Sequence, residues 1–177
     1  LVLFFAGGIT GIVNASVQMN NLVHNTSCIP GHFHTTLGGP VFLGFTGMSL
    51  YMVSAVLGKP VFKRAWAVCV PWIWLLGVTV MSTPMSINGL IGEPRRTNLG
   101  LTYLNPQSPL YQADWQLGAT IAAFGGMIMA LAMLVWFVCF FGTLFGARQA
   151  EPALEFPSSE PLHEEEAGWL GNFKPWV

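Results

Sequence analysis

Charge is what this sequence has least of. Aspartate, glutamate, lysine and arginine make up 8% of its 177 residues, while 53% are hydrophobic and thirteen Phe and seven Trp are present. Soluble domains carry roughly a quarter of their residues as charges, so this deficit excludes an ordinary water-soluble chain. The net charge of −1 leaves no electrostatic signature of a nucleic-acid binder. Cysteine is scarce and odd in number: Cys28, Cys69 and Cys139, the last two inside apolar runs. That argues against a disulfide framework and for packing roles. The chain opens on Leu1 directly in apolar sequence, without an initiator methionine, a basic start or a small-residue cleavage site. It therefore reads as the later part of something longer rather than as a signal peptide. Asn14 and Asn25 match the glycosylation pattern, but a three-residue pattern arises too often by chance to carry weight.

What is present in place of charge is a series of long uncharged runs. Residues 1–17 are apolar and contain Gly7, Gly8 and Gly11, which permit close helix contact in lipid. Residues 35–57 supply roughly 23 uncharged positions, enough for ~35 Å of helix. A third run covers 65–83, with Pro71 and three tryptophans, and Pro84 is expected to loosen its end. A fourth covers 115–145, long enough to span with tilt. The fold class is all-α: a polytopic membrane helical bundle of about four transmembrane helices over residues 1–147. The Pro- and Glu-rich tail, 148–177, is expected to lie outside the bilayer. Asn14, Gln18, Asn20 and Asn21 crowd the far end of the first run; polar groups at that depth are costly unless they face protein or water, so that face is expected to look inward.

Orientation follows from the basic residues. On a four-span path Lys59, Lys63, Arg64 and Arg148 share one side, which the positive-inside rule makes cytoplasmic, or the matrix side in a mitochondrion. The carboxyl terminus then lies in the cytoplasm. Arg95 and Arg96, in the stretch GEPRR, fall on the opposite side. An adjacent guanidinium pair there is better explained by a bound anion, which it can hold in bidentate fashion, than by topology.

Three of the four histidines lie within eleven residues, His24 to His34, reading HNTSCIPGHFH. This cluster stands at the mouth of the second span. With a helix starting near Pro30, a residue type suited to a first turn, His32 and His34 point about 200° apart. They cannot clasp one metal ion, which needs a spacing of three or four on a helical face. Two imidazoles on opposite faces at one depth suit two separate large cofactors, and haem iron accepts histidine axially. A haem carries two propionates, which the arginine pair at the same end could receive.

The stretch GGITGIVNASVQMNNLVHNTSCIPGHFH, followed much later by PRR, resembles the ninth to twelfth transmembrane helices of subunit I of the haem-copper oxidases, the cytochrome c and quinol oxidases. The resemblance covers residues 5–145. It implies that His32 is the proximal ligand of the high-spin haem, where oxygen binds. It makes His34 one of two axial ligands of the low-spin haem and places Phe33 between the two haems. His24 matches a position near the high-spin haem propionates, and Arg95 and Arg96 match the propionate-binding pair. The implied activity is reduction of O2 to water coupled to proton translocation in a prokaryotic inner membrane. Its partners would be the rest of subunit I, subunit II, and cytochrome c or quinol as electron donor.

The commonest members carry an aspartate after the first histidine and an alanine before HFH. Here Asn25 and Gly31 stand in those places, with Pro30 ahead, and HNTxxxPGHFH is similar to the B-type branch. Without the carboxylate a hard oxygen ligand is lost, which argues against a magnesium ion beside His24. Glu93 is expected to pair with an arginine, the alternative being that it titrates near the propionates. The family's copper ligands and second low-spin ligand lie on earlier helices, so this chain by itself is expected to be inactive. Nitric oxide reductase, a relative that keeps an HxH on the equivalent helix, is one alternative. A haem-free membrane segment that scaffolds partners is the other.

Overall fold

The computed structural model describes residues 1–95 and 105–146. Arg96 and the tail from residue 147, including Arg148, lie outside the described residues. The described residues are helical: α1 (Val2–Ala15), α2 (Val17–Val23), α3 (Cys28–Phe33), a π turn (His34–Gly38), α4 (Gly39–Leu57), α5 (Arg64–Leu90) and α6 (Ala113–Phe145).

Three helices are long and apolar enough to cross a membrane, Cys28–Leu57, Arg64–Leu90 and Ala113–Phe145, and α1 with α2 makes a possible fourth that is bent by 97°. Their outward surfaces stay apolar, with Phe45, Trp72, Leu76, Leu117 and Leu134 all more than half exposed. In water such a surface would be an aggregation liability; in a bilayer it is the surface that lipid tails or further helices cover. The chain is an integral membrane protein.

Three boundaries differ from the sequence expectation. The second long helix begins at Cys28, two residues ahead of Pro30 and seven ahead of the uncharged run, so His32 and His34 stand inside a continuous 30-residue helix. Gln18, Asn20 and Asn21 lie not on a straight continuation of α1 but in the short α2, into which Ser16 turns the chain at an extended ψ of 124°, and Gln18 and Asn21 are exposed rather than turned inward. The third long helix does not loosen at Pro84 but runs on to Leu90. The polar end it gains is anchored, since Asn88 donates through Nδ2 to the Trp115 carbonyl at 2.9 Å and Ser27 donates to the Met85 carbonyl at 2.8 Å.

Small residues let the helices approach closely enough to replace lipid contacts with backbone packing. A Cβ on Gly125 of α6 would run into the Met81 backbone of α5, and one on Gly89 of α5 would run into the Cys28 backbone at the start of α3. The second crossing pins the beginning of the histidine-bearing helix to the end of α5. Elsewhere Trp74 holds α5 to the π turn and α4: its ring stacks on Phe42, centroids 3.4 Å apart at 12°, and its indole N–H donates to the Gly38 carbonyl at 3.1 Å. Trp136 ties α6 to α4 by donating to the Thr46 carbonyl at 3.1 Å.

The two ends of the bundle are chemically distinct. At one, Lys59 Nζ donates to the Leu144 carbonyl at 2.8 Å, satisfying an orphan acceptor in the last turn of α6. The other end holds the histidine loop and the beginning of the GEPRR segment.

Candidate functional site

The site begins with a local fault in helical hydrogen bonding. Three consecutive carbonyls are taken by side chains four residues further on: Pro30 by His34 Nδ1 at 2.7 Å, Gly31 by the Thr35 hydroxyl at 3.0 Å and His32 by the Thr36 hydroxyl at 2.9 Å. Such back-bonding competes with the main-chain ladder and bends helices. Pro40 has no N–H to return to the Thr36 carbonyl, which weakens the regular pattern further. The backbone responds by widening, and Gly39 N–H reaches the His34 carbonyl five residues back. Single π turns of this kind concentrate at functional sites.

His32 and His34 leave the helix on opposite sides. His32 meets α1, with Nδ1 2.8 Å from Thr10 Oγ1 and Cε1 3.4 Å from where a Cβ on Gly11 would stand. His34 makes its contacts with Pro30 and Gly38 of its own helix. Phe33 lies between them, 49% exposed, its ring tilted 53° to that of His32 with centroids 5.4 Å apart.

The hydrogen bonds also determine what the rings offer. A carbonyl can only accept, so the proton between His34 and Pro30 is on Nδ1 and the lone pair of the neutral ring is on Nε2. Neither Nε2 has a hydrogen-bond partner among the described residues. A histidine that donates through one nitrogen to a carbonyl is oriented to ligate metal through the other. The residues fit haem: two separate Nε2 donors serve two irons, and beside His32 the α1 surface carries no side chain at Gly11, whose absent Cβ would stand 3.4 Å from the ring. No group of three His, Cys, Asp or Glu side chains is disposed to hold one ion among the described residues.

The second part of the site is a clamp between two loops. Thr26 and Pro94 form an antiparallel bridge, Ser27 N–H donates to the Glu93 carbonyl at 2.8 Å, and Arg95 N–H donates to the Asn25 carbonyl at 2.9 Å. Arg95 Nη2 also donates to Asn25 Oδ1 at 3.0 Å. The histidine loop and the arginine segment, about 70 residues apart in sequence, are thus joined backbone to backbone. Asn25 sits at φ 63°, a left-handed conformation that asparagine tolerates. Its amide is a neutral acceptor, so it bonds Arg95 without cancelling the guanidinium charge. Glu93 contributes backbone to the clamp, and its carboxylate makes no ion pair among the described residues; the other arginine it was expected to reach, Arg96, lies outside them. His24 is exposed at the end of α2, next to this clamp, and Arg96 is outside the described residues.

The model of the cytochrome c and quinol oxidase polypeptide I family matches residues 1–128. The chain belongs to this family. It is 30% identical over 153 residues to cytochrome c oxidase subunit 1 of Thermus thermophilus, a match covering 85% of this chain and 26% of that one. It is 31% identical over 132 residues to a probable quinol oxidase subunit 1 of Staphylococcus haemolyticus, covering 74% of this chain and 18% of the relative. A cryo-electron microscopy structure of a heme-copper terminal oxidase dimer contains a chain similar to it at a TM-score of 0.82 and 48% identity, over 99% of this chain and 30% of that one. This chain therefore spans between about a fifth and a third of the length of these relatives.

Two members of the site escaped the sequence reading. Thr10 is a lone hydroxyl in a Gly-rich apolar helix, a signal visible in the sequence but without a partner until α1 docks. Asn25 drew notice as the residue standing where an aspartate is common, while its bond to Arg95 depends on a contact no local pattern encodes.

Proposed function

We propose that this chain is the haem-binding part of the catalytic subunit of a respiratory terminal oxidase, which reduces O2 to water and couples this to proton translocation. His32 holds the high-spin haem iron, His34 supplies one axial ligand of the low-spin haem, and Phe33 stands between the two. His24, Arg95 and Arg96 surround the propionates. The observation that carries this reading is the opposed pair of histidines on one helix, each with Nδ1 engaged and Nε2 free among the described residues.

When bound, the haems supply electron relay and the oxygen-binding iron. The chain's own residues orient and tune them. Pro30 keeps His34 in the Nδ1–H tautomer, so its Nε2 stays a neutral donor. Phe33, half exposed and tilted against the His32 ring, presents an apolar face between the two positions. Asn25 is a neutral partner that does not offset the Arg95 guanidinium charge, which is therefore available to hold an anionic propionate through charge-assisted hydrogen bonds. Copper and the second low-spin ligand belong to other helices of the subunit, so the chain alone is inactive. Electrons come from cytochrome c or quinol, by way of subunit II where cytochrome c is the donor. The protein sits in a prokaryotic inner membrane with the Lys59 end and the carboxyl terminus in the cytoplasm. The four membrane spans and a cytoplasmic tail from residue 148, outside the bilayer, are part of this reading.

Single substitutions in the intact oxidase separate the two histidines. His34→Ala is expected to abolish the six-coordinate low-spin spectrum. His32→Ala is expected to disturb the oxygen-binding haem and its carbon monoxide difference spectrum. Variants that keep both spectra would sink the haem assignment.

A further inference from the structure

We propose that Thr10 of α1 is a positioning residue for His32, holding its ring and setting how strongly Nε2 donates to an axial iron. The inference rests on the assignment of His32 as an iron ligand. Its basis is a hydrogen-bond count. Thr10 Oγ1 lies 2.9 Å from the Gly7 carbonyl and 2.8 Å from His32 Nδ1. The hydroxyl has one proton and the Gly7 carbonyl has none. If that proton pointed at Nδ1, the Gly7 carbonyl would lose it and His32 would carry its own proton on Nε2, where the described residues offer no acceptor. The arrangement satisfying both contacts runs one way, from Nδ1–H to Oγ1 and from Oγ1–H to the Gly7 carbonyl. Bonds in such a chain polarise one another, so Oγ1 is a better acceptor than an isolated hydroxyl.

The same chain fixes the ring in space. Gly7 is buried against α3 and the π turn, where a Cβ would run into Thr36, and Thr36 in turn donates to the His32 carbonyl at 2.9 Å. His32 is therefore held at the ring by α1 and at the backbone by Thr36. His34 differs, since its Nδ1–H is bonded to Pro30 of its own helix and turns with that helix. A hydroxyl acceptor gives His32 less imidazolate character than a carboxylate would and more than no acceptor. Thr10 thus tunes one histidine of the pair and leaves the other untouched.

The experiment uses the complete oxidase with Thr10→Val, which keeps the shape and removes the hydroxyl, and Thr10→Ser, which keeps the hydroxyl. Resonance Raman spectroscopy of the reduced enzyme reads the iron–histidine stretch of the high-spin haem. The band should shift to lower frequency in Thr10→Val and stay at its wild-type position in Thr10→Ser, with the low-spin absorption unchanged in both. An unmoved band in Thr10→Val, or a shift of the same size in Thr10→Ser, overturns the role of the hydroxyl. Persistence of the band in His32→Ala overturns the ligand assignment itself, a result the Thr10 variants cannot mimic.

Discussion

Asn25→Asp should lower the midpoint potentials of the haems while leaving the protein about as stable as before. The substitution replaces a neutral amide with a carboxylate at the position where Oδ1 now accepts from Arg95 Nη2 at 3.0 Å. Asn25 is exposed, so the new ion pair contributes only about 0 to 1 kcal/mol to folding after solvent screening. Its electrostatic reach is another matter. At an effective dielectric of ~20 a unit charge acts with ~1.7 kcal/mol, or ~70 mV, over ~10 Å, which is the upper bound for an exposed group because solvent and salt screen it. The added negative charge favours ferric over ferrous iron, so the potentials fall. Arg95→Met removes a positive charge from the same place and should give a fall of similar size. The double variant should fall by roughly the sum, since both changes act on iron through the field. Spectroelectrochemical titration of the purified oxidase measures all three. Potentials unmoved in both single variants, or raised in Asn25→Asp, would refute the placement of this clamp beside the propionates.

Gly125→Val should overpack the α5–α6 crossing against the Met81 backbone and cost about 1 to 3 kcal/mol, read as a lower Tm of the detergent-solubilised enzyme. Gly44→Ala, where a Cβ meets nothing within 4 Å, should leave Tm unchanged or slightly higher; equal effects at the two sites would contradict the close crossing. Trp74→Phe preserves an aromatic ring on Phe42 but removes the indole N–H bond to the Gly38 carbonyl at the end of the π turn, with an expected loss of about 0.5 to 1.5 kcal/mol. A Trp74→Phe enzyme with wild-type Tm would show that this bond does not support the turn. A reporter fused after Val177 should be active in the cytoplasm, as the lysine-bearing end implies; activity confined to the periplasm would reverse the proposed orientation.

Much of the protein is decided by local chemistry alone. Uncharged runs of this length have to become helices in a bilayer, because backbone polar groups find no other partner there. The fold class and the membrane class were therefore legible from composition and run length. The spacing of His32 and His34 by two residues put them on opposite faces as soon as a helix was assumed, and the adjacent HFH and PRR stretches carried the family resemblance. Boundaries were less legible. The helix starts at Cys28 because Gly89 lets its backbone dock on α5, and α5 continues past Pro84 because Asn88 and Ser27 tie that end to neighbouring elements. The π turn depends on three side chains bonding back along the helix at once, and Trp74 braces it from another helix. Thr10 reaching His32 and Asn25 reaching Arg95 span 22 and 70 residues. Contacts at that separation exist only once the helices have packed. The sequence by itself determined which atoms could donate, accept or ligate; the tertiary structure decided which acceptor holds the ring of His32 and that the charge of Arg95 is left uncancelled by Asn25.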